Sequence, residues 1–429
     1  MDEPQPTALT QDEEEANQPD ASAVRKLALA LLRLHDFRLA LLGSAVLVFG
    51  FEMRAIVQSW LALELTDSQA WVGAVNGLPA IMVIALSLLG GVAADRFPKR
   101  DILAVTRTGS VALSFLTGYL VAVDVISVWH LLALAMVQGG IVAFAMPANQ
   151  SIVAELVGRQ NMLTATSLTQ AVMSTAMILG PAMGGFLVGL LGVAPVYFFV
   201  GGIQSLSIVT TLMIRSRKVQ SRNRSASALS EIAEGFRFVR GNRLVRTLMM
   251  LNVLSIFAGF VFPLLPVYAR DIFEVGELGY GIMMTVFGLG GLTGTIGLAM
   301  AGDVKRKGIM LIAPGVVWLF GTFVFAFSNS YYLSVAVLGV MGAAGILYVT
   351  TINAMVQMAV PDELRGRVSS LLSITMQLFP IGFFASGIIA QTISNEVALM
   401  TSGIGVMAPV VMVFAVSPSF RALTLGDSG

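Results

Sequence analysis

The chain has 429 residues, of which 56% are hydrophobic and only 12% charged, with a mean hydropathy of +0.82 and a formal net charge of +1. A soluble domain carries about 25% charged residues, so this much apolar surface needs a bilayer as its solvent. The near-zero net charge gives no global basic field for nucleic acid. The absence of cysteine excludes a disulfide framework, thiol catalysis and Cys-ligated metal. The two histidines, His35 and His130, are too few to build a metal cluster.

In chain order, residues 1–36 read as a disordered cytoplasmic tail, because the first 24 are acidic and rich in Pro and Gln, unlike a signal peptide. A membrane-spanning helix needs about 20 apolar residues. Windows of that size predict twelve spans, at about 38–62, 71–93, 102–122, 128–149, 163–190, 194–214, 244–268, 279–301, 308–327, 331–353, 367–391 and 396–416. The runs are continuously apolar rather than alternating, which excludes a closed barrel. The expected fold class is therefore an all-α membrane protein with twelve transmembrane helices in two six-helix bundles, at 37–214 and 244–416. A cytoplasmic linker at 215–243 joins the bundles, and residues 417–429 form a second tail. The linker is basic and Ser-rich at first. It then places Leu229, Ile232, Ala233 and Phe236 at the spacing of an amphipathic helix.

The stretch Gly90 to Arg100 lies between spans two and three. Its charges would each cost about 2.5–3.5 kcal/mol at the bilayer centre, so it is a tight turn at one membrane face. A degenerate echo, Gly297 to Lys307, recurs about 205 residues later. A second internal match pairs Val157–Leu168 with Val360–Leu371 at an offset of 203. The chain thus reads as a duplication of two parallel halves, related by an axis along the membrane normal. With both termini in the cytoplasm, 24 of the 26 Lys and Arg fall on the cytoplasmic side, Arg270 alone lies outside, and Arg54 sits within a span. Trp71 and Trp129 fall at the predicted outer interface.

These residues resemble the major facilitator superfamily. Gly91-x-x-x-Asp95-Arg96-x-Pro98-Lys99-Arg100 is similar to its signature loop after the second span, with Pro98 in place of a Gly. Ala176-x-x-x-Gly180-Pro181-x-x-Gly184-Gly185 resembles its exporter-associated motif in span five, with Ala176 for the leading Gly. Val57–Ser68 and Pro361–Arg367 resemble the subfamily of the enterobactin exporter and macrolide efflux proteins. The resemblance covers about residues 37–416. It implies alternating access between two bundles, with Gly91, Asp95, Arg96, Lys99, Arg100, Asp303, Arg365 and Arg367 forming a cytoplasmic gate. In the family the gate Asp interacts with the facing half, and the start of span eleven near Arg367 is its expected target. For Gly180, Pro181, Gly184 and Gly185 the resemblance implies a tight interface that suppresses leak. One departure is that the family's proton-antiport motif carries an Arg before Gln-Gly in span four. Here Gln138-Gly139 is preceded at that place by Ala135.

Glu52 and Arg54 lie mid-span, roughly 20 Å from either end of the first helix, too far for Glu to snorkel. Intramembrane ionisable residues are costly and face a cavity or a partner. Being two residues apart, they point to opposite sides of the helix. Glu52 is expected to face a central cavity and to bind protons or a cationic group of substrate. Arg54, Gln58, Asn76 and Gln138 complete the candidate set. A glycine run from Gly281 to Gly297 lies within span eight, where helix packing explains it better than a phosphate loop.

The expected function is secondary active export, coupled to protons, of a small amphipathic molecule such as a drug or siderophore-like metabolite. An uptake permease or uniporter on the same fold, and a transporter-like receptor without turnover, are the alternatives. No cofactor, catalytic residue or metal site is expected. The partners are the bilayer, a small-molecule substrate and protons, and the chain is read as a monomer.

Overall fold

The computed structural model describes residues 21–215, 228–301 and 309–416. The tails at 1–20 and 417–429, the Ser-rich part of the linker at 216–227, and the echo turn with Asp303, Lys305, Arg306 and Lys307 lie outside the described residues.

Among the described residues, eleven helical stretches are long and apolar enough to cross a bilayer. The remaining expected span, the third, is a continuous helix over Lys99–Ala122. Its apolar stretch, Ile102–Ala122, is diluted by Arg107 and by several Ser, Thr and Gly residues. Spans one, four, five and six are His35–Thr66, Val128–Val157, Met162–Leu191 and Val193–Met213. Spans eight, nine, ten and twelve are Gly276–Ala301, Ile309–Phe327, Tyr331–Ala359 and Asn395–Val416.

Three spans are divided. Span two runs as Gln69–Gly77 and Pro79–Arg96, with Pro79 at the start of the second piece, where its missing N–H costs least. Span eleven is Asp362–Met376 followed by Ile381–Thr392, with Pro380 at the junction. Span seven starts as an α-helix at Arg243–Leu254, then tightens into a 3-10 stretch over Ser255–Leu264 that contains Gly259 and Pro263. Pro removes a backbone donor, so the regular ladder cannot continue through this segment. Span five, by contrast, remains helical through Pro181.

Two local findings depart from the sequence reading. The expected disordered tail contains a helix at Ala21–Arg33, and Leu31 is buried beside Phe37, Val157 and Ala165. A helix too short to span can still dock an apolar face on the bundle, and the tail's polar composition masked this one. Arg107, counted with the charges of the cytoplasmic face, is instead enclosed within span three and only 2% exposed.

The duplication shows in the backbone. Each half breaks after its fourth span, at Gly158 and at Val360–Pro361, and Val157 and Val360 are both buried there. The linker helix, Ala228–Gly241, lies against the first piece of span eleven. Gly235 abuts the Arg367 carbonyl there, and Glu234 pairs with Arg367 at 2.6 Å.

The two halves meet at the end of the bundle away from residues 21 and 416. Small residues let backbones approach where lipid supplies no hydrophobic drive. A Cβ on Gly73 would stand 2.3 Å from the Phe383 carbonyl oxygen, and one on Gly387 would stand 2.4 Å from that of Gln69. Span five reaches span eight in the same way, with Gly185 facing Gly281 and the Glu277 carbonyl. At the rim, Arg270 of span seven pairs with Asp67 at 2.8 Å and donates to the Leu63 carbonyl at 3.3 Å. Trp71 and Trp129 stack edge to face nearby, 4.7 Å apart.

Candidate functional site

Between the halves lies a cavity of about 600 Å³. Its N-terminal wall comes from spans one, two and five, including Glu52, Ser59, Asn76 and Gln170. Its C-terminal wall is aromatic, with Phe262, Phe287, Phe379 and Phe383 in mutual contact at centroid distances of 5.1–5.7 Å. Trp318 adds to this wall and donates to Ser402 at 3.1 Å. The irregular stretch of span seven lines the cavity with Ser255, Ala258, Phe262 and Pro263.

Glu52 is the one carboxylate among the described lining residues, which include no Lys, Arg or His. It has no hydrogen-bond or ion-pair partner among the described residues. Its position is fixed from behind: a Cβ on Gly180 of span five would stand 2.6 Å from the Glu52 Cβ. Gly184 packs on span one in the same way, against the Met53 backbone and the Ile56 Cβ. The exporter-like motif therefore has two faces, Gly180 and Gly184 toward span one and Gly185 toward span eight.

At the closed end of the cavity, Ser59 ties span one to span two. Its hydroxyl accepts from Asn76 at 3.0 Å and donates to the Ala55 carbonyl at 2.8 Å, and Tyr280 of the opposite half lines the same cavity. Asn76 also donates to the Val72 carbonyl at 2.8 Å.

Of the five candidate site residues, Glu52 and Asn76 line this cavity. Arg54, Gln58 and Gln138 are directed elsewhere. Arg54 is 8% exposed, stands 5.4 Å over the Phe51 ring and interacts electrostatically with the buried Tyr197 of span six. Gln58 donates to the Val75 carbonyl of span two at 3.3 Å. Gln138 donates to Ser110 of span three at 3.1 Å. Helical geometry is the cause: residues two apart lie about 200° apart, so one face of span one cannot present both Glu52 and Arg54.

The face away from the cavity belongs to a polar seam within the N-terminal half. Arg107 donates from Nη1 to the Ser207 carbonyl at 3.0 Å and to the Thr211 hydroxyl, and from Nη2 to Ser44 at 3.2 Å. Ser44 in turn donates to Asn149 of span four at 3.1 Å. Further along, Ser114 bonds Gln204 at 3.1 Å, and Gln204 donates to the Leu47 carbonyl at 3.3 Å. Gly43 and Gly50 make room: a Cβ on the first would strike Arg107, and one on the second would strike Gln204. Sequence reading missed this seam. Its signal was the recurrence of polar residues on span three, Arg107, Ser110, Ser114 and Thr117, at helical spacing.

At the terminus-side face the gate residues are spread apart. Asp95 and Arg96 are exposed. Lys99 pairs with Glu155 at 2.8 Å, and Arg100 donates to the Leu212 carbonyl at 2.5 Å, both within the same half. Gly91 has open space around its Cα, and Arg365 sits in the first turn of span eleven. Arg367, near the expected target of Asp95, is held by Glu234 of the linker helix instead. Among the described residues, no hydrogen bond or ion pair joins Asp95 or Arg96 to span eleven. Asp303 lies outside the described residues.

Residues 26–425 match the family described as transmembrane secretion effector. The chain is 26% identical over 383 residues to the multidrug efflux pump Tap of Mycolicibacterium fortuitum, covering 86% of this chain and 92% of that protein. It is 22% identical over 347 residues to the enterobactin exporter EntS of Shigella boydii, covering 80% and 83%. Among solved structures, a bacterial homologue of the iron transporter ferroportin in an inward-facing state superposes with a TM-score of 0.70 at 16% identity, covering 91% of this chain and 99% of that one. A D-xylose–proton symporter superposes with a TM-score of 0.66 at 14% identity, covering 90% and 98%. At these identities the structural matches establish the fold alone. The duplicated helical halves, the cavity between them and the family match together identify the chain as a multi-pass membrane transporter, not an enzyme, belonging to the transmembrane secretion effector family of the major facilitator superfamily.

Proposed function

We propose that this transporter is a proton-coupled exporter of small amphipathic molecules, drugs or siderophore-like metabolites, working as a monomer by alternating access. The observation that carries the reading is the lone, unpartnered Glu52 carboxylate on the wall of an apolar cavity between the two halves. An ionisable group at membrane depth is costly unless it works, and a carboxylate is the simplest proton carrier. The relatedness to Tap and the enterobactin exporter supports the direction of transport.

The positive-inside asymmetry supports a placement in the cell membrane with both termini cytoplasmic. On that placement the cavity is loaded from the cytoplasm. The closed end is the outer gate, held by the Gly73–Phe383 and Gly185–Gly281 approaches and by Arg270. Rocking the halves would separate these contacts and bring the Gly91–Arg100 loop onto span eleven.

The test is transport in proteoliposomes with an imposed pH gradient. Substrate should move against the proton flow. Uptake in the same direction as protons overturns export, and ligand binding without flux overturns transport.

A further inference from the structure

The irregular stretch of span seven is held by hydroxyls that do not line the cavity. Ser255–Leu264 is a 3-10 segment, and at its end the Leu265 N–H bonds back to the Phe262 carbonyl. In a 3-10 ladder the carbonyl of residue i accepts from the N–H of residue i+3. The Phe260 carbonyl therefore falls opposite Pro263, which has no N–H to give. Ser386 of span eleven supplies the missing donor. Its hydroxyl donates to the Phe260 carbonyl at 2.6 Å, in a setting where Ser386 is fully buried and Phe260 only 4% exposed. In an α ladder each carbonyl is served from residue i+4 instead. Phe260 would then take the Leu264 N–H, and the carbonyl without a donor would be that of Gly259. The Ser386 hydroxyl thus favours the 3-10 form over the α form.

The contact keeps register along both helices. Gly382 and Ser386, one turn apart on span eleven, meet Ile256 and Phe260, four apart on span seven. A Cβ on Gly382 would stand 2.1 Å from the Ile256 carbonyl oxygen. From the other side, Ser402 of span twelve donates to the Phe257 carbonyl at 2.7 Å and accepts from Trp318 at 3.1 Å. Two residues after Phe260, Phe262 places its ring against Phe287, Phe379 and Phe383 on the cavity wall. A 3-10 helix turns about 120° per residue and an α-helix about 100°. Conversion to the α form between Ser255 and Phe262 would therefore swing that ring by about 140°.

We propose that Ser386 is a positioning residue for substrate selection. It holds span seven in its 3-10 form and so keeps Phe262 in the aromatic wall. The preference for aromatic over aliphatic substrates then depends on a side chain outside the cavity. The inference rests on the reading that substrate occupies this cavity, and it deepens that reading.

The probes are ethidium, which carries fused rings, and tetrabutylammonium, which has the same charge and no ring. In the purified full-length chain, Ser386→Ala should weaken ethidium binding by about two- to tenfold, the loss of an aromatic contact. Tetrabutylammonium binding should not change. In a Pro263→Ala background an N–H returns opposite the Phe260 carbonyl, so removing the Ser386 hydroxyl should then cost ethidium little. Ser386→Cys, close in shape but a weaker donor, should fall between wild type and alanine, and it serves where the alanine variant does not fold. 4-Fluorophenylalanine in place of Phe262 reports the ring by fluorine NMR, and its signal should shift in Ser386→Ala or Ser386→Cys with or without ligand. Equal loss for both probes alongside a lower melting temperature assigns Ser386 to packing and overturns the inference. An unmoved fluorine signal, or an undiminished loss in the Pro263→Ala background, overturns it as well. Selective loss of ethidium binding without any pH-driven flux overturns the exporter reading and leaves the role of Ser386 standing.

Discussion

The two faces of span one carry charges of opposite sign and treat them oppositely. On one face Glu52 borders the cavity without a partner, and the helix behind it is reduced to Gly180 and Gly184. On the other face Gly43, Ser44, Gly50 and Arg54 meet spans three and six. There the Arg107 guanidinium is spread over two hydroxyls and a carbonyl. A buried polar group bonded to several helices holds them in place, while on the proposed function one left open to a cavity is free to exchange its proton. The comparison then sets stability at the seam against transport at the cavity, within one helix.

The largest effect should follow from removing the cavity charge. Glu52→Gln keeps the side-chain shape and should lower pH-driven efflux by about tenfold or more, equivalent to at least about 1.4 kcal/mol, with unchanged thermal stability. Flux assays and a melting curve on the same preparation check both halves of the statement. A fall in stability equal to that of a seam variant would erase the contrast.

Arg107→Met attacks the opposite face. It leaves Ser44 and Thr211 without their donor in a buried setting, at a cost of about 1–3 kcal/mol. The variant should melt at lower temperature yet show ligand affinity close to wild type once folded. Affinity that drops while the melting point holds would move Arg107 into the functional class.

Gly180→Leu sharpens the comparison from the third side. The new side chain would press on Glu52 and the Phe49 carbonyl, and overpacking costs about 1–3 kcal/mol. Here stability and transport should fall together. The natural chain lacks cysteine, so single cysteines introduced in the cavity can report the accompanying loss of access by maleimide labelling. Labelling that is unaltered in rate would show that span five has room to yield.

The smallest effect is expected at the top of span one. Arg270→Ala removes the bonds to Asp67 and the Leu63 carbonyl. The Asp67 side chain is 79% exposed, and exposed pairs contribute about 0.2–1 kcal/mol. A modest increase in labelling from the outer side is the predicted readout. A large change would make this pair the principal latch, ahead of the glycine approaches.

The architecture was legible because membrane insertion is decided locally. Runs such as 128–149 or 331–353 announce themselves by composition, and turns such as Gly90 to Arg100 by charge. The duplication at Val157 and Val360 was equally plain, since both breaks survive in the backbone. The helix at Ala21–Arg33 was not, because it is short and its flanking tail is polar. Arg107 was misplaced for a related reason: it lies eight residues into its helix, close to a cluster of true surface charges.

The sequence by itself determined that this chain spans a bilayer in two related halves and that Glu52 and Arg54 lie at membrane depth. Only the tertiary structure decided that Glu52 borders the cavity while Gln58 and Gln138 bind neighbouring helices and Arg54 is buried over Phe51 of its own helix. The physical reason is the solvent. In water, an apolar stripe tells which face of a helix turns inward, but lipid is as apolar as the bundle core. The faces of a spanning helix therefore carry little contrast in sequence, and their roles are set by which neighbours pack against them.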